Sequence, residues 1–318
     1  MQKRALGKSG ISIAPLVLGG NVFGWTAEEK TSHAVLDAFV GAGFDCIDTA
    51  NSYSVWAAAH HKGGESEAVI GNWLKSRGNR EKVIIATKVG AGMGDGGKGL
   101  ARDYIARECE ASLTRLQTDY IDLYQSHYDD ENTPIEETLG AFAKLIEQGK
   151  VRAIGASNYE IPRLEESLAA SKRLGLPRYE TLQPLYNLYD REVYEKERMG
   201  LCEREGLGVI PYYALAAGFL TGKYRGEADL GKSERGQRTV KKYLTDRGLG
   251  ILKAMDAVAA RTGATLPQIA IAWVMTRPAI AAPIASATSP AQVADIVKAA
   301  ELKLDDAALK TLNDASAY

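Results

Sequence analysis

Four side chains of complementary chemistry stand out along the chain: Asp48, Tyr53, Lys88 and His127 supply an acid, a phenol, an amine and an imidazole. Such a set, brought together, can run proton transfer. A phenol has a reference pKa of about 10 and is a poor acid or base at neutral pH, so its catalytic use requires a neighbour that stabilises the phenolate. Lys88 has the right sign. A cation about 4 Å away at an effective dielectric of about 20 is worth about 4 kcal/mol, a few pKa units before desolvation is subtracted. Burial alone favours a neutral lysine and cancels the effect, so a carboxylate such as Asp48 is needed to keep Lys88 charged. His127 is then available to orient a carbonyl oxygen. Singly, each residue has a plainer reading. A tyrosine after a strand packs on a rim, a strand-end lysine snorkels to solvent, and His127, followed by Tyr128, Asp129 and Asp130, serves as a loop hydrogen-bonder. Their combination in successive units is what points to chemistry.

The elements that must position them recur as a rhythm. Apolar or β-branched runs at 15–18, 44–47, 82–86, 120–124, 151–155, 181–185, 208–211 and 280–284 read as eight strands. Between them, 27–42, 66–76, 101–116, 133–148, 162–174, 247–261 and 290–299 carry the three- and four-residue apolar spacing of helices. Eight buried strands suit an open doubly wound sheet or a closed (β/α)8 TIM barrel. The doubly wound dinucleotide fold carries G-x-G-x-x-G after its first strand, and Gly19-Gly20-Asn21-Val22-Phe23-Gly24 does not fit that spacing. The expectation is an α/β chain folded as a (β/α)8 barrel. No Pro/Ser-rich linker, repeat or low-complexity tract divides the chain, so 1–318 reads as a single domain. In a barrel, residues at the C-terminal strand ends converge on one rim. Those positions hold Gly20 and Asn21 after the first run, Asp48 and Tyr53 after the second, Lys88 after the third and His127 after the fourth. Ser157 and Asn158, Gln183, Tyr212 and Ser286 follow the remaining four.

Composition excludes several partners. The 318 residues hold 39 Lys+Arg against 40 Asp+Glu, a formal net charge of -1, whereas nucleic acid or an anionic membrane requires an excess of cations on one face. Neither is expected. Cys46, Cys109 and Cys202 are odd in number and widely spaced, which makes neither a disulfide framework nor a metal motif and suits a reducing cytoplasm. His60-His61 has no partner at ligand spacing, so no metal site is expected. The start at Met1 has basic residues but no apolar core of a signal peptide, and no stretch approaches the roughly 18 apolar residues of a membrane span.

Several long stretches carry a family resemblance: FDCIDTANSY (44–53), IATKVG (85–90), DYIDLYQSH (119–127), GKVRAIGASNY (149–159), LQPLYN (182–187) and GFLTGKY (218–224). Over nearly the whole chain the sequence resembles the aldo-keto reductase superfamily, closer to its potassium-channel β-subunit-like branch than to its aldose reductase branch. The resemblance implies a (β/α)8 barrel that binds a nicotinamide dinucleotide in extended form. It makes Tyr53 the general acid/base, Lys88 the group that lowers its pKa, Asp48 the partner of Lys88, and His127 the group that positions the carbonyl. Gly20, Asn21 and Asp48 would border the cofactor, and Ser157, Asn158 and Gln183 would hold the nicotinamide carboxamide, a group with one acceptor and two donors. Tyr212 would stack on the nicotinamide face. Ser157-Asn158 also reads as a turn or helix N-cap before the helix at 161–174.

The segment 212–243 is too long for an ordinary strand-to-helix connection, and 223–242 holds seven basic and three acidic residues. By resemblance it folds over the dinucleotide, with Leu215 and Ala216 lining it, Lys223 near the pyrophosphate and Arg238 approaching a 2′-phosphate. A solvated charged loop is the other reading, and for Arg238 both stay open. Beyond the eighth run, Ser286-Ala287-Thr288-Ser289-Pro290 leads into a helix, where N–H groups and hydroxyls can take phosphate. Gln292 and Asp295 keep types found at adenine-contacting positions in relatives, whereas Ile296 replaces a common Asn and the stretch carries no Lys or Arg. The family's habit and Arg238 make NADP(H) the expected cofactor, with NAD(H) the other possibility.

The function so implied is hydride transfer between NAD(P)(H) and a small-molecule carbonyl or alcohol. The competing reading is a nucleotide-binding regulatory subunit resembling potassium-channel β subunits. Those subunits typically carry Asn where His127 stands, and no N-terminal extension for a channel partner is seen, so the complete set favours turnover. Specificity is expected from 51–64 with Trp56, His60 and His61, from 128–133, and from Tyr213, with Trp56 and Tyr128 as an aromatic wall. Physiological substrate, reaction direction and oligomeric state stay open at this level.

Overall fold

The structure, a computed structural model, describes residues 1–57, 60–233 and 239–318. A hairpin of β1 (Arg4–Ala5) and β2 (Ser12–Ile13) precedes eight parallel strands: β3 (Val17–Gly19), β4 (Cys46–Asp48), β5 (Ile84–Val89), β6 (Ile121–Ser126), β7 (Val151–Ser157), β8 (Tyr179–Gln183), β9 (Gly208–Val209) and β10 (Ile284–Ala285). They form one sheet in the order β10-β3-β4-β5-β6-β7-β8-β9. Its two edges meet: Val209 bridges Ile280 in parallel, the Ala281 N–H donates to the Val209 carbonyl (2.8 Å), and the Ile284 N–H donates to the Pro211 carbonyl (2.9 Å). The sheet thus curls into the expected (β/α)8 barrel. Helices α1 (Glu29–Gly41), α2 (Glu65–Arg77), α3 (Arg102–Leu116), α4 (Ile135–Glu147), α5 (Ile161–Leu174), α6 (Met199–Glu205), α7 (Asp246–Thr262), α8 (Leu266–Met275), α9 (Pro290–Ile296) and α10 (Asp306–Ala315) accompany it. Amphipathic spacing explains most of them: α4 buries Ile135, Thr138, Leu139, Phe142 and Leu145 on one face. No helix among the described residues is long and apolar enough to cross a membrane.

Strand side chains alternate, so Cys46 and Asp48, Ala86 and Lys88, and Leu123 and Gln125 share the inward face of their strands. The lower layer is apolar: Val17, Cys46, Ala86, Leu123, Ala153 and Ile210 pack on Leu6 and Ile13 from the hairpin. The layer above it is polar, with Asp48, Lys88, Gln125 and Gln183 all buried. Such a layer survives only when every member finds a partner. Space there is tight, since a Cβ on Gly155 would lie 2.1 Å from Thr181 Oγ1 and 3.1 Å from Gln125 Cγ. Only glycine lets β7 and β8 bring these inward groups so close.

All eight strands differ from the expected runs by a residue or more at an end, and two shift most. The run at 82–86 becomes β5 at Ile84–Val89, so Lys88 lies within its strand and points inward from it. The run at 280–284 yields only Ile284–Ala285, because Ile280 and Ala281 are taken by the closing bonds to Val209 and Pro283 has no N–H to give a ladder. The hairpin, α6, α8 and α10 were not anticipated.

Strand β5 is also pinned from outside. Thr87 Oγ1 donates to Glu67 Oε1 on α2 (2.6 Å), and Arg115 Nε on α3 donates to Glu67 Oε2 (2.7 Å), with the Glu67 side chain wholly buried. Removing the cation leaves an uncompensated buried charge, so Arg115→Ala is expected to lower stability by roughly 3–5 kcal/mol, read as a fall in the urea midpoint at unchanged m. A loss below about 1 kcal/mol would reduce the pair to an ordinary surface bridge.

Candidate active site

Strand β4 delivers Asp48, and the tight turn after it delivers Tyr53. That turn is held by the Tyr53 N–H donating to the Ala50 carbonyl (3.2 Å) and the Val55 N–H donating to the Ser52 carbonyl (3.3 Å), with Ser54 in a left-handed conformation (φ 76°). Lys88 Nζ, fully buried, donates to Asp48 Oδ2 (2.7 Å), the Thr49 carbonyl (2.8 Å) and Tyr53 OH (2.8 Å). Three acceptors for three protons match an ammonium, and a neutral amine would leave one unmet. Tyr53 OH in turn donates to Asp48 Oδ2 (3.3 Å). The other carboxylate oxygen, Oδ1, accepts from Gln183 Nε2 (2.8 Å) and Gln125 Nε2 (3.4 Å). His127 follows β6, its N–H donating to the Val89 carbonyl (2.8 Å). Its ring stacks on Tyr128 (centroids 5.0 Å, 15°) and meets the Tyr53 ring near-perpendicularly (5.9 Å). The four residues singled out by chemistry are therefore neighbours in space.

Their electrostatics differ from the expectation in one respect. Burial, and then the Asp48 carboxylate, push the Tyr53 phenol well above the ordinary tyrosine range. Lys88 bonds the same oxygen and favours the phenolate, but Lys88 and Asp48 form an ion pair of no net charge, which leaves desolvation to decide. Burial thus sets the direction for Tyr53, and its phenol is raised overall. Lys88 itself is drawn below the usual lysine value by burial, opposed by Asp48. His127 is pushed well below the usual histidine value by burial and by the charge of Lys88, so its imidazole is neutral. A base whose folded pKa is depressed binds its proton more readily when unfolded. Its contribution to stability is complete above the unfolded value of about 6.5 and is lost progressively as pH falls from there toward the folded value, at up to about 1.4 kcal/mol per pH unit. Urea unfolding at pH 7.5 and pH 5.5 is expected to show a smaller acid loss for His127→Asn than for the native chain. Equal losses would mean that His127 is not buried neutral.

A cavity of about 940 Å³ opens over this cluster. Asp48, Tyr53, His127, Ser157, Asn158, Gln183 and Tyr212 line its inner part. Leu215, Lys223, Asn21, Ser286, Thr288, Gln292 and Asp295 line it farther out, and Trp25, Trp56, Tyr128 and Tyr213 add aromatic surface. Trp56 and Tyr128 are 41% and 51% exposed. Two expected residues stand behind the wall. Gly20 gives its N–H to the Asp48 carbonyl (2.7 Å) and accepts from Ser66 Oγ (2.8 Å), while Gly19 faces the cavity in its place. Ala216 is buried with its N–H on the Tyr213 carbonyl (2.7 Å), and Ala217 and Gly218 take the lining position. Arg238 lies outside the described residues. Ser157 ends β7, and the N-cap of α5 is Glu160, so Ser157-Asn158 does not cap that helix.

The polar side chains that line the cavity are largely bonded to one another. Gln183 Nε2 is spent on Asp48 and on Gln125 Oε1 (3.2 Å), and its backbone carbonyl accepts from Ser157 Oγ (2.9 Å). Asn158 is more committed. Its Nδ2 donates to the His127 carbonyl (3.0 Å) and Ser157 Oγ (3.1 Å), and its Oδ1 accepts from Tyr212 OH (2.9 Å). At the outer end Ser286 Oγ donates to Asn21 Oδ1 (2.6 Å), and Gln292 Oε1 accepts from the Thr288 N–H (2.8 Å). Asp295 accepts from Thr265 Oγ1 (3.0 Å) and Gln268 Nε2 (2.6 Å) at the start of α8. Among the described residues, Lys223 is the one cation lining that end. No group of three or more His, Cys, Asp or Glu among the described residues could hold a metal ion.

Trp25, Ser52 and Gln125 belong to the site and were not singled out from the sequence. Gln125 was within reach, since it lies two residues before His127 and alternation turns it inward with Lys88. Ser52 adjoins Tyr53, whereas Trp25 reaches the cavity through a loop with no periodic signal.

The closed barrel thus joins a phenol, an ammonium and a carboxylate beneath a single cavity of about 940 Å³. Residues 15–317 match the model of the aldo/keto reductase family, and the chain belongs to that family. It is 35% identical over 322 residues to the uncharacterized oxidoreductase YrpG of Bacillus subtilis, covering 99% of this chain and 95% of that protein. It is 32% identical over 309 residues to a probable voltage-gated potassium channel subunit beta of Arabidopsis thaliana, covering 95% and 92%. Aldo-keto reductase YhdN of Bacillus subtilis is 32% identical over 290 residues, covering 90% and 83%.

Proposed function

We propose that this protein is an NADP(H)-dependent oxidoreductase that interconverts aldehydes or ketones and the corresponding alcohols, with Tyr53 as its proton donor and acceptor. The observation that carries this reading is Lys88 Nζ, buried behind the cavity wall and bonded at once to Tyr53 OH (2.8 Å) and Asp48 Oδ2 (2.7 Å), both of which line the cavity. Bound nicotinamide would supply or accept the hydride. Tyr53, held protonated at rest, gives its proton to the substrate oxygen as charge builds there. Lys88 then stabilises the phenolate left behind, and Asp48 keeps Lys88 charged. Neutral His127 donates a hydrogen bond to the same oxygen. Ser157 and Gln183 would hold the carboxamide, Tyr212 the ring face, Lys223 the pyrophosphate, and Ser286, Thr288, Gln292 and Asp295 the adenosine half. The family's habit, with Arg238 as the candidate for a 2′-phosphate, is what favours NADP(H) over NAD(H). Trp56 and Tyr128 would border a small-molecule substrate. Three buried free cysteines support work in a reducing cytoplasm.

The test is a fluorescence titration with NADPH and NADH in parallel, followed by a carbonyl and alcohol panel read by nicotinamide absorbance. Tighter NADPH binding with turnover is the expected result. Likeness to the plant channel subunit supports a second reading, a nucleotide-binding regulatory subunit, which binding without turnover across the panel would favour. Failure to bind either nucleotide overturns both.

A further inference from the structure

We propose that Ser52 sets the tautomer of His127, keeping the proton on Nε2 so that the imidazole presents a donor to the substrate oxygen. This rests on the carbonyl–alcohol reading above. A neutral imidazole has one N–H and one lone pair, and the partner of one nitrogen decides what the other offers. His127 is well fixed: its N–H donates to the Val89 carbonyl (2.8 Å), its carbonyl accepts from Asn158 Nδ2 (3.0 Å), and its ring lies flat on Tyr128. Among the described residues, the ring's hydrogen-bond partner is Ser52 Oγ, 3.5 Å from Nδ1. That is long, as is common for catalytic hydrogen bonds before substrate arrives.

The serine hydroxyl can donate to Nδ1 or accept from it. Ser52 is only 3% exposed, and Nδ1 is the partner of its hydroxyl among the described residues. Ser52 also lines the cavity, but within the protein Nδ1 is the acceptor its O–H has, and an O–H that donates to nothing costs about 1–3 kcal/mol, which favours donation to Nδ1. The ring proton then sits on Nε2, the nitrogen left for the cavity that His127 lines. In the opposite tautomer a nitrogen lone pair would face the lone pairs of a carbonyl oxygen and repel it. One short turn thereby controls both polar groups at the substrate oxygen, Tyr53 directly and His127 through Ser52. Ser52 is a positioning residue.

The experiment is ¹H–¹⁵N correlation on the full chain labelled at histidine, with His127→Asn identifying one signal among the four histidines. The native chain is expected to show His127 protonated on Nε2. Ser52→Ala is expected to mix the tautomers and to lower kcat for carbonyl reduction about tenfold at unchanged nucleotide Kd. Ser52→Thr, which restores the hydroxyl, should return the Nε2 proton and most of the lost rate. A native signal with the proton on Nδ1, or a Ser52→Ala spectrum with the tautomer unmoved, overturns the proposal. The nitrogen signals decide it even if the native chain turns over no carbonyl, so the two readings fail separately.

Discussion

Tyr53→Phe is expected to lower kcat in both directions by at least about a thousandfold while leaving the NADPH Kd within a few-fold. The substitution removes one oxygen and keeps the ring, which packs against Trp56 (5.7 Å) and His127 (5.9 Å). What disappears is the hydroxyl that accepts from Lys88 and donates to Asp48. The nucleotide has no need of that hydroxyl, so binding and turnover separate. Retention of more than about a tenth of the native rate would show that the proton comes from elsewhere, with His127 the next group to test.

Lys88→Met is expected to lose turnover by about a hundredfold or more and, unlike Tyr53→Phe, to cost roughly 3–5 kcal/mol of stability. The stability loss follows from Asp48, which keeps its amide partners Gln183 and Gln125 but loses the cation 2.7 Å away. Removing the orphaned charge as well, in Lys88→Met with Asp48→Asn, should recover most of the stability and none of the turnover. Equilibrium urea unfolding and steady-state rates on the same samples check both halves. If the double variant regained activity, Lys88 would serve only to neutralise Asp48, and its bond to the phenol would be incidental.

The site was legible where chemistry and strand alternation coincide. Asp48, Lys88 and His127 sit at or beside strand ends, and a rhythm of eight apolar runs was enough to bring them to one rim. Amphipathic helices such as α4 announced themselves for the same reason, since one buried face leaves a period. Helix α8, with the sequence LPQIAIAWVM, is buried nearly all round and has no contrasting face to read. Strands β1 and β2, two residues each, are shorter than any period. Contacts that depend on closure were equally hidden: Gln183 reaches Asp48 across 135 positions and Ser286 reaches Asn21 across 265. The direction in which Tyr53 is shifted also lay beyond residue types, because it depends first on how deeply the phenol is buried and then on the nearby Asp48 carboxylate.

The hairpin of β1 and β2 has a consequence for traffic. With Leu6 and Ile13 stoppering the lower layer, the described barrel is a cul-de-sac. Ser157 and Gln183, nearly inaccessible, stand at the back of it, and Trp56 and Tyr128 stand at the threshold. On the function proposed above, whichever of nucleotide and carbonyl is seated deeper has to arrive first and depart last.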